Sequence, residues 1–131
     1  MDAMKQAKRI LMIDDDKHMH RILQLYLRSR NVEVVGVSSG RMALHKLDEE
    51  SFDLVLTDIQ MPGMDGRELI QRIRQKYPDL PILIISAYEE EKFQNEINSL
   101  KNIQMVAKPF DQNTILEKID KLLQSDNNTT F

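Results

Sequence analysis

A chain of 131 residues, 30% charged and with a net charge of -3, has the length of one domain and enough surface to bury a core. It has no cysteine, which excludes a disulfide framework and a thiolate metal site, and its acidic balance argues against direct nucleic-acid binding by this chain. No apolar run approaches the roughly 20 residues that cross a bilayer, and the polar start, Met1 to Arg9, lacks a stretch of signal-peptide length, so a cytoplasmic protein without a membrane segment is expected.

Arg9 to Ile13 is a short apolar run that ends at Asp14, Asp15 and Asp16, and it reads as a buried strand with acids at its C-terminal end. Met19, Ile22, Leu23 and Tyr26 then recur at helical spacing, with Asp16 placed to cap the helix. Val32 to Val37 is a second strand rich in β-branched residues. Ser38 or Ser39 caps a helix whose inner face is Ala43, Leu44 and Leu47. Phe52 to Thr57 is the third strand, and Asp58 follows it in a loop punctuated by Pro62, Gly63 and Gly66. Leu69, Ile70 and Ile73 line a third helix that stops before Pro78.

Pro81 opens a fourth strand, Ile82 to Ile85, which ends at Ser86. Glu89 to Leu100 forms a helix with a narrow apolar stripe of Phe93, Ile97 and Leu100. Ile103 to Ala107 is the fifth strand and ends at Lys108-Pro109, and Asp111 caps a last helix that buries Ile115, Leu116, Ile119, Leu122 and Leu123. Strands and helices alternate throughout, and the strands are continuous apolar runs, as befits strands covered on both faces. The expectation is an α/β fold, a doubly wound parallel sheet of flavodoxin-like order 2-1-3-4-5 with helices on both faces. The domain is expected over 8–124, with 1–7 as an N-terminal extension and 125–131 as a polar, disordered tail or the start of a linker.

Polar residues close four of the apolar runs: Asp14 to Asp16, Asp58, Ser86 and Lys108. In a parallel sheet all strand C-termini share one edge, so these residues converge. Carboxylates, a hydroxyl and an ammonium gathered there suit a divalent cation and a phosphoryl group. Mg2+ takes a few oxygen ligands and keeps several waters; Asp15 and Asp58 are the expected direct ligands, Asp14 acts through water, and the backbone carbonyl of Gln60 is the neutral ligand. Asp58 attacks phosphorus with its remaining oxygen, Lys108 neutralises charge, and Ser86 donates a hydrogen bond to a phosphoryl oxygen.

With Ile13-Asp14-Asp15, the run Thr57 to Gly66, Ser86-Ala87 and Lys108-Pro109-Phe110 in order, the chain resembles the receiver domains of two-component response regulators over roughly Lys8 to Gln124. The resemblance implies that Asp58 accepts a phosphoryl group from a phosphohistidine on a sensor histidine kinase or histidine phosphotransfer protein. It implies a Mg2+-dependent signalling switch rather than a turnover enzyme, a monomer or phosphorylation-dependent dimer, and a downstream target met through the fourth predicted helix, fifth strand and last helix. It also implies a cis Lys108-Pro109 bond. This chain has Ser86 where the family often has Thr, and Met105 where it usually has Tyr or Phe. A phosphohydrolase of the haloacid-dehalogenase kind is the enzyme alternative, but His18 stands where its paired-aspartate motif wants Thr or Val, and no later strand ends in an acidic pair. Asp65-Gly66 reads as turn chemistry, and His18, His20 and His45 read as surface or packing residues.

Overall fold

The computed structural model describes residues 7–59, 65–86 and 101–124. Five parallel strands form one sheet in the order β2-β1-β3-β4-β5: β1 is Lys8–Ile13, β2 Val32–Val37, β3 Leu54–Asp58, β4 Ile82–Ser86 and β5 Ile103–Ala107. Helix α1 spans Lys17–Tyr26 and runs into a 3-10 turn at Leu27–Ser29, α2 spans Gly40–Glu49, α3 spans Gly66–Lys76, and a C-terminal helix spans Gln112–Gln124. The expected doubly wound sheet is therefore the observed one. The helix expected over Glu89 to Leu100, Ala87 and Tyr88 after β4, and the tail beyond Gln124 lie outside the described residues.

Side-chain alternation along the strands divides the core in two. Leu11, Ile13, Val55, Ile82 and Ile84 face α2 and α3 and pack with Ala43, Leu47, Leu69, Ile70 and Ile73. Ile10, Met12, Leu54, Leu56, Leu83 and Ile85 face the other way, against Leu23 of α1 and Ile115, Ile119 and Leu122 of the C-terminal helix. With both faces covered, all five residues of β3 and all five of β4 are buried. Leu123 is only partly buried, and Ile22 on α1 is 38% exposed.

Local signals set the helix starts. Asp16 caps α1 by accepting from the His18 amide, Ser39 rather than Ser38 caps α2 by accepting from the Met42 amide, and Asp65 caps α3 by accepting from the Arg67 amide; each satisfies an otherwise unpaired N–H. The Thr114 amide donates to Asp111 at the last helix. Asp65 is thus a helix cap, and Gly66 has a packing role that turn chemistry alone does not describe. A Cβ on Gly66 would lie 2.5 Å from the Ile59 Cα.

Two strands end one residue later than their apolar runs. Asp58 and Ser86 belong to β3 and β4 themselves, and Asp58 pairs with Ile85 in the ladder. β3 also begins at Leu54 instead of Phe52, because Leu54 is the first residue to meet a partner, Ile10, on β1, whereas the side chain of Asp53 turns to accept from the Arg9 amide.

Candidate functional site

Register assembles the site. Ile13 pairs with Thr57, so the next residue, Asp14, leaves β1 beside Asp58. Asp58 pairs with Ile85, which puts Ser86 one step further along β4, and Ser86 pairs with Ala107, the residue before Lys108. The ladder continues past the strands: the Lys108 amide donates to the Ser86 carbonyl at 2.7 Å, and the Asp14 amide to the Val37 carbonyl at 3.1 Å. Separate segments thereby deliver acids, a hydroxyl and an amine to the C-terminal edge of the sheet, where open α/β sheets bind ligands. The peptide bond after Lys108 is cis, as expected.

Asp14, Asp58 and Ser86 are buried, with 2%, 6% and 0% of their surface exposed, whereas Asp15 is exposed. The Lys108 ammonium donates to Asp58 Oδ2 at 2.7 Å, which compensates a buried charge. The buried Thr57 hydroxyl donates to the Asp58 carbonyl at 3.0 Å. Asp14 Oδ1 accepts from the Asp16 amide at 2.9 Å, but its Oδ2 is buried with no hydrogen-bond partner among the described residues.

Burial pushes the Asp14 carboxyl above the usual carboxylate range. The Asp16 amide and Lys108 pull it back, while the negative charges of Asp58 and Asp15 push it further up. Burial alone would lower Lys108, but its hydrogen bond to Asp58 and the charges of Asp58, Asp14 and Asp16 win, and the ammonium is held above its ordinary range. Three carboxylates share the surroundings of one amine, so the site carries excess negative charge.

An orphaned, buried carboxylate oxygen next to a second buried carboxylate fits a small hard cation. Among the described residues no three His, Cys, Asp or Glu side chains form a metal-binding group. Mg2+ does not need three, because one or two carboxylates with backbone oxygen and water satisfy it. The residues present fit that ion. Gln60, the expected carbonyl ligand, lies outside the described residues.

Two features near the site were not read from the sequence. His20 Nε2 donates to the Asp14 carbonyl at 2.8 Å, and its ring lies against Gly36 of β2. A glycine inside a run of valines was the available signal, since it marks a close approach. An apolar hollow of about 360 Å³ also opens beside Lys108, lined by Met19, Ile22, Tyr26, Pro109 and Phe110. A larger hollow of about 400 Å³, lined by Phe52, Asp53, Tyr77 and Pro81 among others, lies at the opposite edge of the sheet, away from the acids.

A family model described as the response regulator receiver domain matches residues 10–120. Response regulator receiver protein CpdR of Brucella abortus is 35% identical over 116 residues, which cover 88% of this chain and 97% of CpdR. Transcriptional regulatory protein ResD of Bacillus subtilis is 30% identical over 131 residues, the whole of this chain but 54% of ResD. Among solved structures, the response regulator TrrA of Thermotoga maritima, in complex with Mg2+ and BeF, superposes with a TM-score of 0.78 at 32% identity, covering 88% of this chain and 98% of TrrA. A CheY-like receiver domain protein from Methanospirillum hungatei superposes with a TM-score of 0.84 at 27% identity, covering 95% of this chain and 99% of that one. The chain thus belongs to the response regulator receiver family, the Mg2+-binding phosphoacceptor switches of two-component signalling.

Proposed function

We propose that Asp58 is the phosphoacceptor of this switch and that it takes the phosphoryl group from a phosphohistidine on a sensor histidine kinase or histidine phosphotransfer protein. One observation carries the reading: the Lys108 ammonium is 2.7 Å from Asp58 Oδ2, at a sheet edge where Asp14 Oδ2 is buried and unpartnered. An Asp58 oxygen attacks phosphorus, and the new O–P bond forms as the P–N bond breaks. The departing imidazole keeps the bonding pair and takes up a proton. Lys108 moves from the carboxylate to a phosphoryl oxygen, and the Ser86 hydroxyl donates to another. When bound, Mg2+ would neutralise charge at the phosphoryl group, and Asp15, Asp58 and the Gln60 carbonyl would hold it directly with Asp14 acting through water.

The donor reaches Asp58 over the hollow beside Lys108, where Ile22 is 38% exposed. The product is a signalling state and not a released metabolite, so the domain over 8–124 acts as a switch and not as a turnover enzyme. Phosphorylation adds charge and acceptor oxygens at the sheet edge. Drawing Ser86 and Lys108 toward them biases β5 and the C-terminal helix toward a target-binding state. Adding Mg2+ and beryllofluoride is expected to shift amide resonances from Ser86 through Phe110. Resonances that stay in place at saturating mimic would overturn the switch.

A further inference from the structure

Asp14 is held at every polar atom but one. Its amide donates to Val37, its Oδ1 accepts from the Asp16 amide, and its carbonyl accepts from His20 Nε2 at 2.8 Å. A carbonyl only accepts, so His20 Nε2 carries the hydrogen of that bond. His20 reaches back six residues from α1, and its ring fills the notch that Gly36 leaves on β2. A Cβ on Gly36 would lie 2.3 Å from the ring Nδ1 and 2.6 Å from Cε1. The glycine therefore admits the imidazole, and the imidazole holds the carbonyl.

That carbonyl belongs to the peptide that starts Asp15. Because the peptide unit is planar, fixing the Asp14 C=O direction fixes where the Asp15 backbone begins. Asp15 is exposed, so packing does little to orient it.

On the reading of the site given above, we infer that His20 is a positioning residue for the metal pocket. Seated on Gly36, it orients the Asp14-Asp15 peptide so that the Asp15 carboxylate meets the cation directly and the Asp14 carboxylate through water. The pairing belongs to the metal site rather than to the core, because the ring is half-buried and its polar contact, among the described residues, is to an acid of the site.

The test is Mg2+ titration of the full chain, followed by tryptophan-free probes such as amide shifts, with metal-free melting measured alongside. His20→Ala is expected to weaken Mg2+ about tenfold, the scale for partners that orient a metal ligand. Gly36→Ala, which evicts the ring, is expected to do the same. The double variant should be no worse than either single one. His20→Gln, whose amide nitrogen matches Nε2 in reach, should recover most of the affinity. Phosphorylation by a small phosphodonor should slow in His20→Ala at limiting Mg2+ and recover at saturating Mg2+, a split that a general loss of folding would not produce. Unchanged Mg2+ affinity in His20→Ala and Gly36→Ala, or lowered melting with no weakening of Mg2+, would overturn the positioning role alone. A wild-type chain that does not bind Mg2+ would overturn the reading of the site and this role with it.

Discussion

The ammonium of Lys108 and the carboxylate of Asp58 meet at 2.7 Å although they stand 50 residues apart in the chain. Asp58 is nearly buried and Lys108 about a quarter exposed, at 8% and 26% of their side chains. Removing the amine takes the Lys108 hydrogen bond from a buried carboxylate that lies beside a second one. Lys108→Met is expected to destabilise the metal-free protein by about 1–3 kcal/mol, less than a fully buried pair because water reaches the ammonium. Adding Asp58→Asn should return most of that loss, which a double-mutant cycle in denaturant measures. Additive losses would show that the contact is incidental. The Lys108 range is raised, so its contribution is complete below the ordinary lysine value of 10.5 and is lost as pH climbs through the higher folded value.

Asp14 supplies the opposite sign. Burial raises its folded range above the ordinary 3.8, so between 3.8 and the raised value the folded state binds a proton that the unfolded state has released. Stability from this group falls as pH rises from 3.8 through the raised value, and the cost persists at neutral pH. Asp14→Asn should therefore raise the metal-free melting temperature at pH 7 by a few degrees, the effect of about 1 kcal/mol in a domain of this size. Below 3.8 the gain should vanish. The same substitution should weaken Mg2+. A variant that melts lower at pH 7 and binds the ion as well as wild type would contradict this account of the pocket.

Gly66 gives a test of packing. Alanine in a helix is ordinarily better than glycine by roughly 0.5–1 kcal/mol. Here the added Cβ would stand 2.5 Å from the Cα and 2.6 Å from the carbonyl oxygen of Ile59, both backbone atoms. Gly66→Ala is expected to destabilise by about 1–3 kcal/mol in spite of its helix propensity. Ile59 follows Asp58 directly, so the shift should also weaken Mg2+. Equilibrium unfolding decides the sign.

Much of the site was legible because each of its side chains follows or ends an apolar strand. Asp14, Asp58, Ser86 and Lys108 could be assigned to one edge once the strands were taken as parallel, and the register bears that out. Asp16 and Asp111 were readable as caps because capping is local. What escaped depends on tertiary approach. Nothing in the spacing of His20 and Gly36, or of Ile59 and Gly66, says that one will lie on the other. Arg74 is a further case: its Nη1 gathers the carbonyls of Tyr77, Pro78 and Leu80 at 2.9, 3.1 and 2.7 Å and so shapes the turn into β4, while the sequence marks it only as a polar residue of α3. The ends of β3 and β4 moved by a residue for the same reason, since ladder partners rather than hydrophobicity decide where a strand stops.

Intact mass after incubation with a small phosphodonor and Mg2+ tests the central claim most directly. The wild-type chain is predicted to gain the mass of one phosphoryl group, dependent on Mg2+ and labile as an acyl phosphate, and Asp58→Asn is predicted to gain none. A wild-type chain that stays unmodified, or an Asp58→Asn chain that gains the same mass, would contradict the account.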